Sequence, residues 1–281
     1  VTGVQTCALP IFHHASNYQK ITMIGQPLPE IDCLMNDVAA LLNDNAVVSD
    51  IALQQCKRRA QQLITTNVSP EFAHVTIAMI ETYRKNADEA IKHYEQALRI
   101  SNDDFIYRQY SASLRRLGLW TQGKLVANRF IQHYSGMSEA LNDVAANNFW
   151  AGNFGVSVAA FRRLIRLRPD DKTLTMRLSI AELSHQINLR NHVDEEKTSE
   201  AIDFACEFLN KKGFKLIHFA PKPQQDELDA WITYRFFVEP SDKLKGLNFE
   251  FSRESTKRFI EDDSAFNGIV ISFEPNDVSH A

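Results

Sequence analysis

Two arginines are the side chains whose spacing most clearly suggests chemistry. Arg108 and Arg115 lie seven residues apart in a helical segment, so both would project from one face of the helix. A guanidinium group can bind a carboxylate through two parallel hydrogen bonds. Together with Asn142, the pair could hold the carboxylate of an acidic peptide. This pattern predicts recognition of a ligand rather than a reaction.

The sequence lacks the common motifs of catalysis and nucleotide binding. It contains no P-loop, no Gly-x-Gly-x-x-Gly, no Gly-x-Ser-x-Gly and no His-Glu-x-x-His. His185 and His192 have no further metal ligands nearby in sequence, and His218 falls on a predicted strand. The acidic run 261–263 lacks the oxygen-ligand pattern of a cation-binding loop. We therefore expect no enzyme activity, no cofactor and no metal site.

The bulk composition is that of a globular protein with about two domains. The chain has 281 residues, of which 44% are hydrophobic and 23% are charged, and a net charge of −4. Residues 99–168 contain 10 basic and 4 acidic side chains, whereas residues 195–281 contain 11 basic and 17 acidic ones. The four cysteines form no Cys-x-x-Cys pair, which favours a reducing compartment. No apolar run approaches the ~20 residues that span a bilayer.

The first residues require separate treatment. Val1–Ile11 resembles a translated sequencing-adapter read-through of the kind found at the edges of metagenomic contigs. We therefore treat residues 1–15 as artefact or disordered sequence and exclude them from the fold prediction. From this resemblance we expect that the native start is missing and that the source is bacterial. The expected location is the cytoplasm.

The middle of the chain contains an internal repeat of 33 to 34 residues. Segments 71–103, 104–137 and 138–171 align on a small residue in the second half of each, namely Ala90, Gly123, Ser157. Further aligned positions are Tyr94, Ala127, Phe161 and then Ala97, Phe130, Leu164. Two antiparallel helices approach closely only where a small side chain faces a large one. Gly118 and Gly152 would supply the positive φ that ends a first helix.

This pattern resembles the tetratricopeptide repeat family. The best matching segments are Asp88–Leu98 and Gly152–Asp171, the second with the closing Pro169. The resemblance implies a helical solenoid over residues 16–190 whose first helices line a concave, peptide-binding groove. The implied groove residues are Phe72, Val75, Met79, Phe105, Arg108, Arg115, Asn142 and Phe149. The implied partner is a protein or peptide, acidic if the arginines bind it, so the chain would act as an adaptor or assembly scaffold.

Two alternatives remain open for the basic repeats. The arginines could instead dock onto the acidic C-terminal part of the same chain. The second alternative is nucleic-acid binding, with Trp120 and Tyr134 stacking on bases. It would use the arginines of one second helix, Arg162, Arg163, Arg166 and Arg168. A pI of about 6.2 and the preference of helix C-termini for basic residues make nucleic acid the less favoured partner.

The sequence changes character after residue 190. Thr198–Lys212 predicts an amphipathic helix, and a period of two then predicts strands at Phe214–Phe219 and Trp231–Val238. Further strands are predicted at Leu247–Phe251 and Gly268–Phe273, with a short helix at Ser255–Asp262 between them. Residues 198–277 therefore predict a small α+β domain with an antiparallel sheet. A catalytic or regulatory role for this domain, scaffolded by the repeats, is a further alternative. The fold class is mainly α, a helical solenoid followed by this domain.

Overall fold

Eleven helices and three strands are formed by the residues that the structure describes. The computed structural model describes residues 29–43, 49–226, 229–259 and 266–276, so the expectations for residues 1–15 and 261–263 lie outside it. The N-terminal helices are α1 Glu30–Asn43, α2 Asp50–Thr65, α3 Pro70–Tyr83, α4 Ala87–Ile100, α5 Asp104–Leu117 and α6 Trp120–His133. The remaining helices are α7 Ser138–Trp150, α8 Phe154–Leu167, α9 Lys172–Arg190, α10 Glu195–Lys211 and α11 Leu247–Arg258. The strands are β1 Lys215–Gln225, β2 Ala230–Glu239 and β3 Ile269–Pro275.

The described residues divide into two compact units, one ending at Leu117 and the other beginning at Gly118. In the first unit, α3 packs against α1, α2, α4 and α5. In the second, α7 packs against α6 and α8, and α8 packs against α9. These successive neighbouring pairs confirm the helical-repeat-like arrangement expected from the sequence. This division does not test the predicted domain bounds 16–190 and 198–277, which stay a prediction.

The aligned repeat positions lie in the hydrophobic core. The small anchors Ala90, Gly123 and Ser157 are all buried, and the Ser157 hydroxyl donates to a backbone carbonyl of α7 at 2.8 Å. Tyr94 stacks on Tyr110 with ring centroids 4.8 Å apart. The other six aligned positions are also buried, and they include Ala127, Phe161, Ala97, Phe130 and Leu164. The repeat in the sequence is therefore a repeat of helix-packing contacts.

The turn glycines are required by both conformation and space. Gly118 and Gly152 have φ values of +74° and +84°, as predicted for residues that end a helix. A Cβ added to Gly152 would lie 2.8 Å from both the Thr198 Cγ2 and the Tyr234 Oη. Residues from α10 and β2 therefore approach this turn too closely for any side chain. The first repeat uses Lys85 at φ +61° instead of glycine.

The C-terminal sheet is mixed rather than antiparallel. Its order is β1-β2-β3, with β1 antiparallel to β2 and β3 parallel to β2. The prediction of an antiparallel sheet is therefore wrong for β3. Two parallel neighbours require a crossover connection, and here that connection contains α11.

The strand predicted at Leu247–Phe251 is wrong, because these residues form the first turns of α11. Leu247 and Phe251 are each 4% exposed, whereas Phe249 between them is 74% exposed. Residues four apart share one face of a helix, so only the outer two of the three apolar residues enter the core. Of the helix predicted at Ser255–Asp262, the first four residues form the end of α11, which extends to Arg258, and residues 260–262 lie outside the described residues.

One hydrophobic core joins the repeat helices of the second unit to the sheet. Trp120 of α6 meets Phe219 of β1 edge-on at a centroid distance of 4.8 Å, and Trp150 of α7 meets the same ring at 5.3 Å. Phe219 also stacks on Phe236 of β2. The buried face of the sheet is thus covered by helices of its own unit.

Candidate binding surfaces

Helix α5 carries the two arginines that the sequence singles out. Arg108 and Arg115 are both half-buried and lie on one side of the helix. Arg108 forms an ion pair with Asp104 at 2.8 Å, and the Arg115 guanidinium donates to the Ser111 hydroxyl at 3.1 Å. Each contact comes from the preceding turn of the same helix. It therefore fixes the orientation of the arginine side chain on this side of the helix.

The apolar residues expected beside these arginines in the first unit are mostly core residues. Val75, Met79 and Phe105 are at most 5% exposed. Phe72 is half-buried and meets the Phe105 ring edge-on at 6.1 Å. Of the residues proposed from the sequence in this unit, only Phe72 and the two arginines keep surface that a partner could touch.

The remaining two proposed residues belong to the second unit. Phe149 is 4% exposed and packs edge-on against Phe154 and Phe161. Asn142, on the same helix α7, is half-buried. Phe149 is therefore a core residue of this unit, and only Asn142 of the two offers surface. The periodicity of a first helix could not distinguish core residues from surface residues, because both faces of the helix are lined by residues three and four apart.

Of the two residues proposed for stacking on nucleic acid, Tyr134 is half-buried and Trp120 is placed unfavourably. Trp120 is 3% exposed and packed against aromatic rings, so it cannot stack on a base. Among the arginines of α8, Arg162 pairs with Glu182 at 2.8 Å. Arg163 donates to a backbone carbonyl at 3.0 Å, and Arg168 lies 3.9 Å from Asp171. Intramolecular contacts therefore engage several of the arginines that this alternative would need for binding phosphates.

His218 is placed in an aromatic stack on the outer face of the sheet. Its ring lies on Phe237 with centroids 4.3 Å apart, and the guanidinium of Arg235 lies over the same Phe237 ring at 5.1 Å. Burial lowers the pKa of His218. The carboxylate of Glu274 pairs with Arg235 rather than with the histidine. No carboxylates converge on His218 among the residues that the structure describes.

A buried polar cluster, which the sequence did not reveal, fixes the start of α10. Lys124 of α6 is 3% exposed, and its ammonium donates to Glu196 at 2.6 Å and to Ser199 at 3.2 Å. The Asn153 carboxamide accepts from Lys124 and donates to Glu195, at 2.9 and 3.0 Å. A lysine in a predicted helix gives no sign of burial, since lysine is almost never fully buried without a partner. Glu196 and Ser199 lie more than 70 residues further along the chain.

A shallow cleft of about 360 Å³ opens between α8 and α9. Its lining residues are Gly155, Val158, Ala159, Arg162, Glu182, His185 and Gln186. The Nδ1 of His185 lies 3.7 Å from Glu195, at the edge of the buried polar cluster. The Arg162–Glu182 ion pair crosses the cleft, so its charges are balanced internally.

No family model matches this chain, and no curated protein resembles it significantly. The class defined by the structure is therefore a helical-repeat-like array with a C-terminal mixed sheet. Within the described part of the chain, every helix is too short or too polar to cross a membrane.

Proposed function

We propose that this protein is a tetratricopeptide-type interaction scaffold that binds a peptide or protein through its first helices. The observation that supports the proposal most directly is the pair of half-buried arginines on one side of α5, where Asp104 holds Arg108 and Ser111 holds Arg115. Guanidinium groups held in place lose little side-chain entropy on binding a carboxylate. The partner surface would therefore be acidic.

The repeat arrangement supports the same proposal. Its core uses the small and large positions that resemble the tetratricopeptide pattern, and all nine aligned second-helix positions are buried. Stacked helix pairs of this kind form extended surfaces on which several first helices can contact one ligand. Phe72 on α3 adds a half-buried aromatic edge within the same unit as the two arginines.

The test is binding of an array of acidic peptides, each prepared with a free and with an amidated C-terminus, to the full chain. We expect a subset of free-acid peptides to bind. The Arg108→Gln/Arg115→Gln variant should weaken that binding at least about tenfold, because a charge-assisted pair in a binding site typically contributes more than 1.4 kcal/mol.

A matched control is the Arg58→Gln/Arg99→Gln variant, which removes the same charge from exposed arginines in the same unit. It should bind like the wild type. Equal binding by both double variants, or no binding by the wild type, would contradict the proposal. Retention of a single-stranded oligonucleotide, measured in parallel, would instead favour the nucleic-acid alternative.

A further inference from the structure

Two histidines from neighbouring helices meet nitrogen to nitrogen in the first repeat. His74 of α3 and His93 of α4 place their Nδ1 atoms 2.8 Å apart, with ring centroids at 5.1 Å. Both rings are half-buried, and the His93 side chain is 15% exposed. Two imidazole nitrogens from different helices that face each other at this distance can become ligands of one divalent transition metal if the rings tilt.

We propose that His74 and His93 form a two-histidine site for a divalent transition metal of the zinc and copper class. With metal–nitrogen bonds of about 2.0–2.1 Å, a tetrahedral ion needs its two nitrogens about 3.3 Å apart. The two nitrogens must therefore separate by about 0.5 Å, and the rings, which now face each other head-on, must tilt so that both lone pairs point at the ion. Water, or a side chain of a bound partner, would fill the remaining coordination positions.

A carboxylate lies near the pair, beyond hydrogen-bond distance. The Nε2 of His93, which faces away from His74, lies 3.9 Å from the Glu89 carboxylate. Metal-bound histidines commonly direct their second nitrogen at a carboxylate, which fixes the tautomer and the ring orientation. Metal binding requires both Nδ1 atoms to present lone pairs, so each ring carries its proton on Nε2. No net proton release is needed from two neutral rings.

Charge around the pair does not prevent cation binding. Burial lowers the pKa of His74, and burial with the neighbouring His74 lowers the pKa of His93 to about 4, so both rings are neutral at pH 7. The nearby lysines are themselves paired: Lys92 with Glu89 at 3.0 Å and Lys57 with Glu81 at 2.8 Å. Among the described residues no group of three or more potential ligands is present, so a site with two protein ligands and open positions is what the geometry offers.

The test is calorimetric titration of the metal-free full chain with Zn²⁺ at pH 7. His13 and His14 are adjacent in the sequence, so both are replaced by glutamine in every sample to remove a competing pair. We expect one equivalent of Zn²⁺ to bind, and His74→Gln or His93→Gln to weaken it at least about tenfold. Glu89→Gln should weaken it by a smaller factor, while His133→Gln should have no effect.

A second measurement protects the test against variants that fail to fold. In the same histidine background with His74, His93 and Glu89 intact, ¹⁵N spectra of the histidine rings should show Zn²⁺ shifting the Nδ1 resonances of these two residues. Absence of binding, binding unaffected by His74→Gln and His93→Gln, or shifts confined to other histidines would overturn the proposal. None of these results would bear on peptide binding by Arg108 and Arg115, so the two proposals fail separately.

Discussion

Asp203 is a half-buried carboxylate that holds the first turn of α6. Its side chain accepts from the backbone N–H of Trp120 at 2.6 Å and from that of Thr121 at 3.2 Å. Burial raises the pKa of Asp203 from 3.8 to about 6, while the two backbone donors and Lys124 oppose the shift. The loss of hydration therefore outweighs the favourable position of a carboxylate at a helix N-terminus.

This shift predicts a pH-dependent stability. Between about pH 4 and pH 6 the folded chain holds a proton on Asp203 that the unfolded chain has lost, so the free energy of unfolding should fall as pH rises through this window. Asp203→Asn should remove this contribution, which amounts to at most about 3 kcal/mol. Urea denaturation of wild type and variant at pH 4, 5, 6 and 7 measures the difference.

The exposed Asp170→Asn substitution is the control for loss of a surface carboxylate. It should leave the pH dependence of unfolding as in the wild type. A constant difference in stability between the wild type and the Asp203→Asn variant from pH 4 to pH 7 would show that Asp203 does not titrate in this range.

At the scale of single residues, the spacing in the sequence predicted which residues share one side of a helix. It did not predict which of those residues are exposed to solvent. The seven-residue interval correctly placed Arg108 and Arg115 on one side of α5. It could not reveal that Met79 of α3 and Phe105 of α5 are core residues, because α3 packs against α5 and against three further helices of their unit. The partners of Lys124 were likewise hidden, since they come from α10. Long-range contacts, rather than local pattern, decide which side of a first helix stays open.

The interhelix turns are the elements that the sequence predicted best, because positive φ and small size are properties of the residue itself. Gly152 combines both, with φ +84° and no room for a Cβ. Gly246, before α11, has nearly the same φ of +85°, but a Cβ there would meet nothing within 4 Å. The two glycines therefore separate the cost of backbone conformation from the cost of crowding.

We predict that Gly152→Ala destabilises the chain far more than Gly246→Ala. The conformational cost alone is roughly 1–2 kcal/mol and applies to both. At Gly152 the new methyl group must also displace Thr198 or Tyr234, which adds roughly 1–3 kcal/mol. Thermal and urea unfolding of the two variants give the comparison. Equal losses of stability would mean that α10 and β2 move away from the turn at little cost.

The C-terminal elements were predicted less well, for a physical reason. Alternation of apolar residues over Leu247–Phe251 fits a strand, yet the same residues contain an i, i+4 pair that fits a helix, and only tertiary packing chooses between them. Once α11 replaces that strand, the connection from β2 to β3 becomes long enough for a crossover, and the sheet becomes mixed. One misassigned element thus changed the predicted sheet topology.

At the scale of the whole molecule, the main question is which parts of the chain can fold alone. The aromatic core of the second unit includes Trp120 and Trp150 from the repeat helices as well as Phe219 from β1. Residues from 198 onward would lose these contacts if separated from the helices. Two isolated fragments, 118–281 and 198–281, therefore test whether the predicted domain boundary near residue 198 marks an independently folding unit.

We expect fragment 118–281 to unfold cooperatively, because it retains the entire core of its unit. Fragment 198–281 would expose the faces of Phe219 and Tyr234 that the repeat helices cover, so α10 and α11 would cover only part of the apolar face of the sheet. A sheet with exposed apolar surface is prone to associate. It should bind a hydrophobic dye and lack a cooperative thermal transition, as measured by circular dichroism and calorimetry. A sharp transition in fragment 198–281 would instead show that α10, α11 and the sheet form a domain of their own. The repeat helices would then contribute contacts without being required for folding, and the boundary predicted from the sequence would stand.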